Sequence, residues 1–207
     1  MKFIYLGAAT CAALAQPALA QDNFGPAEAG NPKAGVRIEA RASYETPTVE
    51  GDEIFGDDDD DLYKIGSAFA FGGEAGFDFA VSDKVVLGPY ATYEKSNVES
   101  CTIDGCVRAN DSWSVGAHGG VLVGTRGMVY AKVGYTTLSL EVDAPVDSDL
   151  FVTVEDSSGG IAGAIGYEHG FGTSFYGRIE GGYAAVGEIF GIDWQRRYVG
   201  VALGARF

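Results

Sequence analysis

Residues 71–96 read FGGEAGFDFAVSDKVVLGPYATYEKS, and two runs of alternation inside them decide the fold class. Phe71, Ala75, Phe77 and Phe79 share one parity, while Gly72, Glu74, Gly76 and Asp78 share the other. Past a short polar turn, Leu87, Pro89, Ala91 and Tyr93 oppose Gly88, Tyr90, Thr92 and Glu94. Successive side chains of a strand point to opposite sides of a sheet, so this period marks two-faced β-strands joined as a hairpin. Pro89, which cannot donate to a ladder, is the one residue that fits poorly.

The same period extends outward in both directions. The hairpin strands are read as Tyr63 to Phe79 and Val85 to Glu94. Upstream, Val36 to Glu45 sets Val36, Ile38, Ala40, Ala42 and Tyr44 against Arg37, Glu39, Arg41, Ser43 and Glu45. Downstream lie Ser112 to Val123, Met128 to Leu140, Gly160 to Glu168, Ser174 to Tyr183 and Arg196 to Phe207. In each, one face is aliphatic or aromatic and the other is glycine, hydroxyl or charge. The connections alternate long and short, and no helix-period segment with caps stands out.

Hydrophobic face inside would make a soluble barrel; hydrophobic face outside makes a membrane one. The polar face decides. Seven cations (Arg37, Arg41, Lys64, Lys132, Arg178, Arg196, Arg206) and seven anions (Glu39, Glu45, Glu74, Asp78, Glu94, Glu168, Glu180) fall on it. The interior of an eight-stranded barrel is just wide enough for its side chains, so balanced charge there reads as an ion-paired plug. The expected network comprises Arg37, Glu39, Arg41, Glu74, Asp78, Lys132, Glu168, Arg178, Glu180 and Arg196. The fold class is therefore all-β: an eight-stranded antiparallel transmembrane β-barrel with short periplasmic turns and long external loops.

The first 20 residues, MKFIYLGAATCAALAQPALA, have one cation, an apolar run and an Ala18-Leu19-Ala20 site, which is the pattern of a cleavable secretory signal. That run is too short to span a bilayer as a helix. Ala8-Ala9-Thr10 is a poor lipobox for acylating Cys11. The expected organisation is a signal at 1–20, an unstructured periplasmic segment at 21–33 and a barrel domain at 34–207. Loss of Lys2 from 14 basic and 29 acidic residues leaves 13 against 29, a formal charge of −16, which argues against nucleic acid as a partner. Cys101 and Cys106 remain as an even pair in an exported chain and read as a disulfide across a tight loop. No other Cys and no nearby His completes a metal site there.

The eight two-faced strands, the terminal Phe207 and the segment FGGEAGFDFAVSDKVVLGPYATYEKS together resemble the eight-stranded outer-membrane β-barrel family of porin-like surface antigens, whose fold is that of the OmpA membrane domain. The likeness covers about residues 34–207. It implies location in the cell outer membrane and contact with lipid and lipopolysaccharide. It also implies insertion by the barrel assembly machinery through a C-terminal signal ending at Phe207. Position 205 is Ala where such signals often carry an aromatic, and no peptidoglycan-binding domain follows in this sequence.

Chemistry-bearing candidates are few. The run Asp57 to Asp61 has the carboxylates for a hard cation but lacks EF-hand spacing, so a solvated loop is the simpler reading. Acyl-transfer chemistry would need His118 or His169 beside a serine and an acid at the rim. No H-x-S pair exists. Gly159 to Gly166 is not a G-x-G-x-x-G loop, and the sequon at Asn110 informs only in a eukaryotic context. No cofactor, metal or catalytic residue is expected. The leading expectation is a structural or surface-contact role carried by acidic external loops. A narrow porin-like channel gated by the lumen charges is the alternative, and a lipid-modifying barrel enzyme the more remote one.

Overall fold

The computed structural model describes residues 31–50, 62–64, 66–102, 105–147 and 150–207. Eleven strands form: β1 (Gly35–Glu50), β2 (Leu62–Lys64), β3 (Ala68–Ser82), β4 (Val85–Ser96), β5 (Glu99–Thr102), β6 (Gly105–Ala109), β7 (Asp111–Val123), β8 (Gly127–Asp147), β9 (Leu150–Gly170), β10 (Phe175–Ile189) and β11 (Ile192–Arg206). Eight of them, β1, β3, β4, β7, β8, β9, β10 and β11, pair antiparallel in that order, and β11 pairs back onto β1 from Arg37↔Arg206 to Val49↔Trp194. Closure removes the sheet edges that would otherwise expose unpaired backbone to lipid. The ladder between β3 and β4 lapses between Gly76↔Tyr90 and Phe79↔Leu87, opposite Pro89, which has no N–H to give.

The outward apolar face is in place on every staff of the barrel. Phe69, Phe71 and Phe79 on β3, Val129, Val133 and Tyr135 on β8, Ile161 and Ile165 on β9, and Val199, Val201 and Leu203 on β11 are all exposed. Such a belt would aggregate in water; facing lipid, it costs nothing to leave open. Tyr44 against Phe69 and Trp113 against Tyr135 form aromatic pairs toward one end of the belt.

Three expectations need correction. The connections read as loops after Leu140 and after Tyr183 are largely strand. β8 and β9 stay paired up to Asp147↔Leu150, and β10 and β11 close at Ile189↔Ile192 around a two-residue turn. Tyr63 to Phe79 is not one strand, because it breaks at Gly66 and Ser67, so that Lys64 sits in the short β2 beside β1 and is exposed rather than in the lumen. Finally, Asn31 to Lys33 are not unstructured. The Asn31 side chain donates to the Ser82 carbonyl at 2.9 Å, and Lys33 is buried inside the barrel. Residues 1–30 and the acidic run 57–61 lie outside the described residues.

Candidate functional site

Inward-facing positions are filled from one end of the barrel to the other. At the short-turn end, Lys33 Nζ reaches Glu168 Oε1 at 2.8 Å, and Arg206 bridges Glu168 at 2.8 Å and Asp78 at 3.0 Å. Asp78 also meets His118 Nδ1 at 3.0 Å. Arg178 lies next, 2.8 Å from Glu168 and 2.6 Å from Glu39, with its Nη2 3.4 Å from His118 Nε2. Arg37 joins Glu39 at 2.8 Å and also pairs with Glu74.

The next layer centres on Glu74 and Glu180, which are shared by Arg41 and Lys132; the Lys132 contacts are 2.8 and 2.9 Å. Tyr130 and Tyr176 donate their hydroxyls to Glu180 at 2.8 Å and to Glu39 at 3.0 Å. Their rings cover glycines on the neighbouring strands. A Cβ on Gly166 would come within 2.6 Å of Tyr130, and one on Gly204 within 2.4 Å of Tyr176. Above them, Arg196 meets Glu45 at 3.2 Å and the Ser112 hydroxyl at 2.8 Å. The void left beside Arg41, Glu94 and Arg196 measures about 20 Å³, room for roughly one water.

Higher still, the inward face turns apolar. Val49, Val98, Ala109, Leu138, Leu140, Ala184, Val186, Ile189 and Trp194 form a buried cluster, and the Trp194 indole N–H donates to the Ile189 carbonyl at 3.2 Å. This cluster corks the barrel at the end where the hairpins project. The polarity of each strand inverts at that level. Outward residues of β8 run Val129, Ala131, Val133 and Tyr135, then Thr137, Ser139, Glu141 and Asp143. Inward residues run Tyr130, Lys132, Gly134 and Thr136, then Leu138, Leu140 and Val142.

The outward face of the projecting hairpins is polar. Arg108 on β6 gathers Glu99 at 3.1 Å, Glu141 at 3.2 Å and Asp143. Asp143 is held below the usual carboxylate range by the Thr153 hydroxyl and by Arg108. Cys101 and Cys106 face each other across β5 and β6 and are bonded as a disulfide, so their sulfurs are not free to join Glu99 in holding a metal.

No protein-family model and no curated protein matches the chain. Among solved structures, it resembles the Neisserial surface protein A, NspA, with a TM-score of 0.59 at 11% identity over 84% of this chain and 98% of that one. It also resembles Ail, the attachment invasion locus protein of Yersinia pestis, with a TM-score of 0.52 at 12% identity over 83% and 98%. The chain has the fold of the eight-stranded outer-membrane barrels. An apolar belt around a charged interior is what that fold requires of its sequence.

In this barrel, all ten residues of the expected network, from Arg37 to Arg196, are buried in the lumen, and most of them share partners. Arg206, Glu45, Glu94, Tyr130, Tyr176 and His118 join them. Lys33 is buried where Lys64 is not, so among the described residues the buried charges number seven of each sign. No period marked Lys33, because it precedes the first alternating run. His169 is near the short-turn end with Nδ1 3.2 Å from the Tyr167 hydroxyl. Phe207 is exposed, and its backbone pairs with Val36 at 2.9 and 3.1 Å. Gly159 to Gly166 is strand, and a Cβ on Gly160 would strike the Ala185 carbonyl.

Proposed function

We propose that this barrel is a closed, non-catalytic surface-contact protein whose working part is its acidic hairpin end. The observation that carries the reading is the filled interior: among the described residues, seven buried cations and seven buried anions neutralise one another below an apolar cork, and the void beside Arg41, Glu94 and Arg196 is about 20 Å³. Hydrated solutes have no path through it. The balanced lumen leaves the excess acid of the sequence to the aqueous ends, and Glu99, Asp111, Glu141, Asp143, Glu155, Asp156, Glu188 and Asp193 all lie toward the hairpins. His118 is fully buried with both ring nitrogens engaged, which supports presentation over acyl transfer.

Ail has been solved with the heparin analogue sucrose octasulfate. A polyanion is the wrong partner for an end this acidic. The same reading keeps residues 1–20 as an export signal, Phe207 as the mark read by the barrel assembly machinery, and lipopolysaccharide as the lipid around the outer belt. The test is single-channel recording from refolded protein in planar bilayers, with Glu39→Lys and Arg178→Glu beside the parent. Silence from a barrel verified as folded supports the closed reading. Discrete steps in the parent that change with either substitution would replace it with a porin.

A further inference from the structure

The inward face of the projecting hairpins does not end at the cork. Beyond the buried Leu140, the cross-strand row Val107–Val142–Val154 continues the apolar surface, with Val152 next along β9. Val152 and Val154 are 43% and 47% exposed. Asp156 follows Val154 on the same face, and its carboxylate accepts the N–H of Phe190, at the tip of the β10–β11 hairpin, at 2.9 Å. Phe190 is 41% exposed and holds a φ of 55°, the only non-glycine with positive φ among the described residues. A bulky side chain in that conformation is uncommon at a turn where Asn or Gly would be unstrained. A short apolar row, bounded by Asp156 and with the partly exposed Phe190 held at that carboxylate, is thus open to water at the barrel mouth.

Beside this row, β9 is an open edge. Its pairing with β10 stops at Ile161↔Ala185, and among the described residues no strand lies beyond Val152–Glu155 on that side. Two of the devices that usually protect an edge are absent from residues 152–160, which contain no Lys and no Pro and carry their charge at Glu155 and Asp156. On the outward face, Glu155 is directly opposite Glu141 across the ladder. Like charges so placed repel, and among the described residues Arg108 forms ion pairs with Glu99, Glu141 and Asp143 and none with Glu155.

We propose that the β9 edge at Val152–Glu155 is a strand-addition site for a basic, amphipathic extended peptide. The added strand places alternate apolar side chains on the Val152, Val154 and Phe190 side and alternate Lys or Arg side chains over Glu155 and Glu141. Backbone pairing supplies binding, and the two faces supply selectivity. A second copy of this chain is the poorer occupant, because its own edge would bring Glu155 against Glu155. The proposal rests on the closed, surface-contact reading and names the partner for that surface.

The test uses the full mature barrel in zwitterionic nanodiscs and a capped ten-residue peptide alternating Arg and Val. Controls are a peptide of the same composition in blocks and one alternating Asp and Val. Anisotropy measures binding, and amide hydrogen exchange reads Val152–Glu155. The alternating basic peptide should bind, protect those amides, and lose affinity by about tenfold or more in Val154→Lys, which points a cation into the apolar row, and in Glu155→Lys, which reverses the outer charge. Both positions are exposed, and heat-modifiable migration on gels reports whether each variant is folded.

Equal binding of the block peptide, absence of amide protection, or indifference to both substitutions would overturn the proposal, as would dimerisation through this edge. Conductance of the same samples separates the two readings. A silent barrel that ignores the peptide overturns the edge site alone, whereas a conducting one overturns the closed reading.

Discussion

Between Val129 and Tyr135, and again between Thr137 and Asp143, β8 runs in one sheet with one period, yet its two faces exchange character. In the lower stretch aliphatic and aromatic residues face out and Tyr130 and Lys132 face in. In the upper stretch Ser139 and Glu141 face out and Leu138 and Leu140 face in. The same backbone geometry serves two solvents. Where lipid surrounds the barrel, the hydrophobic face is outside and polar groups must satisfy one another within. Where water surrounds it, the ordinary rule of soluble proteins returns and the apolar face closes on itself. The reversal marks where the belt ends, and the aromatic pair Trp113 and Tyr135 sits at that level.

The contrast can be attacked from its strongest side first. Arg178 is fully buried among Glu39, Glu168 and Glu74, so Arg178→Met should destabilise the barrel by roughly 3–5 kcal/mol, the cost of stranding buried charge. Urea unfolding in detergent micelles measures this, and a loss below about 1 kcal/mol would show that water reaches the lumen.

Leu140 does for the upper zone what Arg178 does for the lower. Leu140→Ala should cost about 2–4 kcal/mol if the cork is packed like a soluble core, and it should increase exchange at Trp194 Nε1–H, which lies in the same cluster.

Outward substitutions separate the zones most simply. Val133→Arg should cost about 2–4 kcal/mol, as charge on a lipid face does, while Ser139→Arg should be within about 0.5 kcal/mol of the parent. Equal costs would mean that the belt does not end between them.

The smallest effect is expected at Arg108. With its folded-state pKa depressed by Thr153 and Arg108, Asp143 contributes to the hairpin above the ordinary carboxylate range, and that contribution is lost as pH falls through the lowered value. Amide protection on β6, corrected for the intrinsic pH dependence of exchange, should fall only in acid, and a fall near neutrality would contradict the assignment.

These zones also explain what the sequence disclosed. The ring of eight strands and the inward ranks of charge were legible because period and polarity agree from Val36 to Glu45 and in each later run. Strand ends were not. A search for constant polarity stops near Leu140, Gly160, Tyr183 and Arg196, where faces exchange rather than where strands finish. Lys33 was invisible because one residue has no period, and Lys64 was misplaced because Gly66 and Ser67 break the alternation that linked it to β3. The cork was written plainly at Leu138, Leu140, Ala184, Val186 and Trp194. It becomes readable once inversion, not only alternation, is sought.

The most direct test is spin-label accessibility along β8, from Val129 to Asp143, in bilayers, comparing oxygen with a water-soluble nickel complex. Oxygen-dominated collisions are expected at 129, 133 and 135, nickel-dominated collisions at 139, 141 and 143, and protection from both at 130, 132, 138 and 140. Lipid-like signals continuing through 141, or water-like signals at 138 and 140, would contradict the exchange of faces along β8.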